Sequence, residues 1–485
     1  MNRKQFLEIC ALNVLAAACR GLPLNNSKKL PNIMLILADD MHWQDCQPYG
    51  SPNVITPNMT RLAEQGMCFD NMFTGTAMCA PSRNQLFTGL YPVRNGSFPN
   101  HSWCYNDVKS FCTYFRELGY RISAAGKFGS GPPDSFKVDQ RFGALNIRPY
   151  FEGIEKFVNQ NKKQPFFTVI GSKQPHRPWN TGKQSEYKKE DLIVPPYLAD
   201  CPHTRKELVE YYAEITYLDR QVGKCIDIID RSGQKDNTIL IFTSEQGCSL
   251  PYGGKWTCYD NGLKTAFIVR WPEKIKPGTR NSAMTHYVDV IPTLLEAAGV
   301  DPMTIDTDMP DAQGNVKFDG QSFYKTLVRQ TDQHRKFVYG IHTTRNIVRG
   351  NKCYPIRSVR SEQYKYIENL KHEEAFSCGL MDPGRGVIKA WQTMGETDAK
   401  IKQRIDFFIN RPPIELYDIK KDPYEMHNLA DEESLAGVKA GLKKELKQWM
   451  DQQGDMGIET ELKATSRKSK EIKERLSENV SPLKK

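Results

Sequence analysis

The 485-residue sequence contains thirteen cysteines but no Cys-x-x-Cys pair. That absence argues against a zinc ribbon and a thioredoxin-like redox motif. The odd cysteine count leaves at least one thiol alone, and the spacings form no regular disulfide framework. Past the N-terminus no stretch reaches the roughly 18–20 apolar residues of a membrane-spanning helix. No internal repeat or low-complexity tract occurs. A basic face is missing too. Of the formal charge of +10, a net +9 lies in residues 1–29 and 463–485, so the body between them is close to neutral. A nucleic-acid enzyme needs a broad basic surface, and this chain lacks one.

What is present reads as a globular chain of two or three units: 39% of residues are hydrophobic, and Gly and Pro are dispersed. Arg3 and Lys4 form a basic head. The run from Phe6 to Ala18 is mostly apolar, interrupted by Glu8, and ends in Ala16-Ala17-Ala18. Residues 1–29 therefore read as a signal peptide and leader, which places the protein outside the cell or in the periplasm. Cys19, directly after the alanines, also admits a lipoprotein anchor, and an ordinary N-terminal helix is the alternative reading.

Ile33 to Ala38 is a continuous apolar run ending in Asp39-Asp40. Phe166 to Gly171, followed by Pro175-His176-Arg177-Pro178, repeats the pattern. So does Thr238 to Phe242, followed by Thr243-Ser244-Glu245-Gln246-Gly247. Runs this short and apolar on both faces fit central strands of a covered parallel sheet. The segment Leu208 to Ile229, apolar at every third and fourth position, predicts an intervening helix. Strands alternating with helices predict an α/β fold whose ligands meet the carboxyl ends of the strands. Beyond about residue 340 the pattern changes. Tyr364 to Ile367 and Glu415 to Asp418 predict strands, and Glu433 to Met450 predicts a helix with a stripe of Leu435, Val438, Leu442 and Leu446. The predicted layout is a catalytic domain over 30–344, a smaller antiparallel-sheet α+β domain over 345–455 and a charged tail over 456–485, its end from Thr465 a frayed helix or disordered.

Asp39-Asp40 at one strand end and Glu245-Gln246 at another would gather four oxygen-bearing side chains at one sheet edge. Calcium takes such an oxygen shell and tolerates irregular geometry. Two unrelated acidic loop starts would leave the same trace in the sequence. Cys79-Ala80-Pro81-Ser82-Arg83, continuing to Thr88-Gly89, predicts a short helix starting at the Pro-Ser pair.

That last motif resembles the maturation signature of the formylglycine-dependent sulfatases. Other stretches agree in order, over about residues 31–450. Pro31 to Asp40 is similar to the family's first strand and metal pair, Ser244-Glu245-Gln246-Gly247 to its second metal segment, and Gly254-Lys255-Trp256 to the segment with a sulfate-binding lysine. Glu415-Leu416-Tyr417-Asp418, with Asp422-Pro423, resembles its C-terminal signature. The resemblance implies an alkaline-phosphatase-like, mostly parallel sheet flanked by helices. It implies calcium held by Asp39, Asp40, Glu245 and Gln246 beside Cys79, with a maturation enzyme converting Cys79 to Cα-formylglycine. It further implies that Arg83 orients the hydrated aldehyde, that Lys127 and Lys255 grip sulfate, and that His176 binds sulfate or protonates the leaving oxygen. The expected substrate is a sulfated glycan or another small sulfated molecule, as ester or sulfamate, and the Ser-Glu-Gln-Gly pattern is similar to that of N-sulfoglucosamine hydrolases. The chain departs from the family in two places. It reads Gly126-Lys127-Phe128-Gly129 where Gly-Lys-x-His is usual, leaving Ser130 or His101 as substitutes, and Glu245 and Gln246 are each a methylene longer than the usual pair. A phosphoesterase of the same fold and a catalytically inactive glycan-binding relative are the competing readings.

Overall fold

The computed structural model describes residues 29–143, 149–252 and 254–467. The reading of residues 1–28 as an export signal, Cys19 included, lies outside them. Strands β1 (Asn32–Ala38), β2 (Met67–Phe73), β3 (Arg121–Gly126), β4 (Gln140–Phe142), β5 (Phe166–Gly171), β6 (Thr238–Ser244), β7 (Lys264–Arg270) and β8 (Thr279–His286) form one sheet in the order β4-β3-β5-β1-β6-β7-β2-β8. Every pairing is parallel except the two made by β7. The central strands β1, β5 and β6 are buried along their whole length, as their unbroken apolar runs require when helices cover both faces.

Topology decides where polar residues go. In a parallel sheet the carboxyl ends of all strands lie along one edge, so the residues after β1, β3, β5 and β6 emerge together. Because β7 runs the other way, the segment leading into it, 254–263, arrives at that same edge.

The long helix Pro202–Ser232 packs on the sheet. Pro202 sits in its first turn, where no backbone donor is needed, and Gly233 closes it at φ 70°. Its buried Asp219 accepts from Asn58 N, Asn58 Nδ2 and Met59 N at 2.7–3.1 Å, which caps the helix Pro57–Glu64. The helix expected from Pro81-Ser82 begins two residues earlier, spanning Cys79–Thr88, with Met78 extended before it. Pro81 then lies in the first turn, where its missing N–H costs no hydrogen bond.

Strands β9 (Val338–His342), β10 (Ile356–Arg360), β11 (Tyr364–Asn369) and β12 (Ile414–Asp418) form a second, wholly antiparallel sheet, covered by the helix Ala436–Gln453 through Leu442, Leu446 and Trp449. Its first strand, β9, precedes residue 345. The first part of segment 456–485 is also folded. Helix Ile458–Lys463 buries Glu461, which accepts from Thr344 N and Oγ1 at 2.9 and 3.1 Å.

The two sheets are joined by a buried ion cluster. Arg360 Nε and Lys365 Nζ reach Asp260 at 2.9 and 2.8 Å, and Lys365 also lies 3.1 Å from Glu425. Burial raises the Glu425 pKa to about 8 in spite of Lys365. Among the described residues no helix is long and apolar enough to cross a membrane, and eleven cysteines are buried and unpaired.

Removing Lys365 would take from buried Glu425 the cation it lies beside and leave Asp260 to Arg360 alone. Lys365→Ala is expected to cost about 3–5 kcal/mol, read as a fall in the urea unfolding midpoint.

Candidate active site

Each site residue owes its place to one turn of chain off the sheet edge. Consecutive side chains of an extended strand point to opposite faces. Asp40 escapes this by adopting φ 67°, the left-handed region that Asp tolerates better than most residues. The chain therefore turns sharply off β1, and both carboxylates meet the same thiol. Cys79 Sγ lies 3.6 Å from Asp39 Oδ1 and 4.0 Å from Asp40 Oδ1. Cys79 itself starts a helix whose polar face is buried. Ser82 Oγ donates to Glu245 O at 2.5 Å, and Gln85 Nε2 donates to Thr74 Oγ1 at 2.6 Å. These bonds tie the helix to the end of β6 and to the loop after β2.

Three cations answer the carboxylates. Lys127 Nζ lies 2.5 Å from Asp39 Oδ2 and 3.7 Å from Glu245 Oε1, and Lys255 Nζ lies 2.5 Å from Asp40 Oδ2. Arg83 pairs through Nε with Glu245 and through Nη1 with Lys127 O at 2.6 Å. His176 Nε2 stands 3.8 Å from Asp40 Oδ2, while its Nδ1 lies 2.5 Å from Arg177 O. A carbonyl can only accept, so Nδ1 carries a proton and Nε2 is the nitrogen free to gain or lose one at the site. The sheet edge thus gathers all nine side chains named from the sequence, Gln246 included.

Burial would raise the Asp39 pKa, but Lys127 and His176 outweigh it and hold the carboxyl well below its usual range. Glu245 is pushed up, first by burial and then by Asp39, against Arg83. Burial, followed by the Glu245 charge, raises the Cys79 thiol far above its ordinary value, so the unmodified sulfur stays protonated at neutral pH.

Asp39, Asp40, Cys79 and His176 each offer one ligand atom, all within 4.8 Å of one another. Glu245 and Gln246 adjoin that group. Gln246 Nε2 donates to Asp40 Oδ1 at 2.7 Å, and its Oε1 is buried without a partner. A half-turn of the amide exchanges the two atoms and presents that oxygen to the carboxylates instead. A buried amide oxygen among carboxylates suits a hard divalent cation, so these residues fit calcium.

Gly129 stands where the family histidine is usual. It has φ 68°, and a Cβ built there would meet Arg83 Cδ at 2.9 Å, so in this chain the arginine stem fills the space beside it. Of the two sequence-named substitutes, Ser130 donates to Phe128 O at 3.5 Å and His101 is exposed after Asn100. Sequence reasoning missed Ser82, Gln85 and Thr74, which hold the helix in place. Only the polarity of Ser82-Arg83-Asn84-Gln85 within a buried helix could have signalled them. A cavity of about 840 Å³, lined by Tyr91, Lys317, Tyr339 and Trp449 among others, shares no lining residue with the site.

The mostly parallel sheet flanked by helices has the alkaline-phosphatase-like fold, with acids and bases gathered at its carboxyl edge. The family model described as Sulfatase matches residues 31–300, and one described as N-sulphoglucosamine sulphohydrolase, C-terminal, matches residues 252–383. The chain belongs to the sulfatase family, and it is a sulfuric ester hydrolase. It is 34% identical to an ulvan-active sulfatase of Formosa agariphila, an alignment covering 88% of this chain and 81% of the relative. It is 24% identical to human N-sulphoglucosamine sulphohydrolase, covering 91% and 92%. In fold it is similar to BT4656 in complex with its substrate D-glucosamine-2-N,6-O-disulfate, with a TM-score of 0.65, 20% identity and coverage of 88% and 99%. It is also similar to the phosphonate monoester hydrolase of Agrobacterium radiobacter, with a TM-score of 0.65, 18% identity and coverage of 87% and 96%.

Gly129→His would force Arg83 away from Glu245. It is expected to lower sulfate release on the order of 100-fold and to lower the thermal midpoint, and side-by-side assay with the parent enzyme checks both.

Proposed function

We propose that the protein is an exported sulfatase that removes sulfate from a sulfated carbohydrate, as ester or sulfamate, using a formylglycine made from Cys79 and a bound calcium ion. The observation that carries this reading is the meeting of Asp39, Asp40, Cys79 and His176 within 4.8 Å, with Lys127 and Lys255 each 2.5 Å from a carboxylate. The names of the ulvan-active and N-sulphoglucosamine relatives support the carbohydrate substrate. The basic head and apolar run within residues 1–29 support export to the periplasm or beyond, with Cys19 as an anchor point.

Asp39, Asp40, Glu245 and Gln246, with residue 79 beside them, would hold the calcium. Once bound, calcium supplies positive charge against the sulfate oxygens, as formylglycine supplies a hydrated aldehyde as nucleophile. The chain's own residues do the rest. Arg83, fixed by Glu245 and by Lys127 O, orients residue 79 with a rigid fork of donors. Lys127 and Lys255 meet the sulfate oxygens from two sides. Each is anchored to a carboxylate in advance, so little reorganisation accompanies the build-up of charge. His176, oriented by the Arg177 carbonyl, delivers a proton from Nε2 to the leaving oxygen or nitrogen. Conversion of the thiol requires a formylglycine-generating enzyme as a transient partner.

The rival phosphoesterase reading draws on the phosphonate hydrolase's shared fold. The sulfatase reading is tested by co-expression with a maturation enzyme and mass spectrometry of the peptide spanning Cys79. The expected mass is that of CH2SH replaced by CHO, together with release of sulfate and no phosphate from matched esters. An unmodified thiol, or phosphate as the product, would sink it. Lys255→Ala is expected to lower kcat by roughly 10²–10³. Chelation is expected to lower both turnover and the thermal midpoint, and added calcium to restore both.

A further inference from the structure

The loop that carries His176 has a second feature that the reaction leaves unused. Asp39 N donates to Gln174 O at 3.0 Å and Trp179 Nε1 donates to Pro175 O at 2.7 Å, which folds segment 174–179 back on the sheet edge. His176 and the next residue, Arg177, are both partly open to solvent there, with side chains 34% and 32% exposed. The Arg177 guanidinium lies over the Trp179 ring, 3.5 Å from its centroid. Its Nη2 donates to Glu207 Oε2 at 2.6 Å. Arg385 Nη2 reaches the same carboxylate, 3.2 and 3.0 Å from its two oxygens.

One carboxylate therefore serves two guanidinium groups. Arg177 Nε is buried with no partner. By contrast, the buried Arg357 forms a fork with both oxygens of its own carboxylate, Asp455. The Arg177–Arg385 pair carries an excess positive charge over Glu207 on the loop that presents His176, and the Trp179 ring and shared carboxylate hold it in place.

The three residues come from distant parts of the chain. Arg177 follows β5, Glu207 lies in the first turns of helix Pro202–Ser232, and Arg385 sits at the start of helix Gly386–Gly395, in the excursion between β11 and β12. That excursion is fastened to the same long helix where Trp391 Nε1 donates to Thr204 Oγ1 at 2.9 Å.

We propose that Arg177 and Arg385 form an anion subsite beside the reacting sulfate, holding a second anionic group of the same carbohydrate. This rests on the sulfatase reading of the site. A planar guanidinium fork matches carboxylate and sulfate oxygens alike, so the second group is a uronate carboxylate or a further sulfate ester. The subsite makes the enzyme selective for sugars that carry two negative charges close together.

The test compares three sugars with the same reacting sulfate: one otherwise neutral, one with a neighbouring carboxylate and one with a second sulfate. Binding is measured by calorimetry on Cys79→Ala protein, which cannot turn over, so the subsite is read independently of chemistry. At least one doubly charged sugar is expected to bind about tenfold more tightly than the neutral one, and which one does so identifies the second group. The preference should shrink as salt is raised. Arg177→Gln and, separately, Arg385→Gln are each expected to bring it towards unity in that background, and Arg385→Lys to keep part of it. In the mature enzyme the same loss should appear in KM more than in kcat. Equal binding of all three sugars, or a preference that survives both Gln variants, would overturn the subsite. Failure of the mature parent enzyme to release sulfate from any of them would overturn the sulfatase reading instead.

Discussion

Three carboxylates, Asp39, Asp40 and Glu245, stand at one sheet edge with almost no access to water, and three cations, Lys127, Lys255 and Arg83, are bound to them. None of these charges could be buried alone, because desolvation of an isolated ion costs more than a folded chain can normally spare. Together they form a balanced set in which each carboxylate has a cation within reach. Much of the local structure answers to that balance. The left-handed turn at Asp40, the polar residues inside helix Cys79–Thr88 and the glycine at position 129 each make room for one member of the set.

The fold meets the constraint through strand direction. Four parallel strands deliver Asp39-Asp40, Lys127, His176 and Glu245-Gln246 to the same edge, and the reversed β7 brings Lys255 there from the opposite sense. Close approach of β3 and β5 requires a glycine at 171, where any Cβ would collide with Lys127 O. The smaller sheet contributes from outside. Arg360 and Lys365 hold Asp260, five residues beyond Lys255, so the antiparallel sheet stabilises the segment that brings one of the cations to the edge.

A cluster that is neutral by itself would gain net positive charge from a dication, and Arg177 and Arg385 together outnumber the one carboxylate, Glu207, that they share. Such a field would favour anionic substrates, and its effect would fade with ionic strength. Shared fold does not choose between sulfate and phosphorus chemistry, since a phosphonate monoester hydrolase has the same architecture. Family membership makes that choice here, and residue 79 is where the proposed mechanism turns on it.

Much of this was legible in sequence because it is written in short stretches. Unbroken apolar runs marked β1, β5 and β6, helical periodicity marked the core of the long helix, and contiguous motifs named all nine residues that the sheet edge brings together. Features that join distant residues left no such trace. Strand order, the reversal of β7, the early start of the second sheet at Val338 and the Thr74–Gln85 brace are settled by packing between segments far apart in the chain. The pairing of Arg177 with Arg385 across Glu207 is of the same kind. The sequence by itself determined which groups could bear charge and which stretches had to be buried. Only the tertiary structure decided which charges face one another, because a Coulomb interaction depends on distance in space and takes no account of separation along the chain.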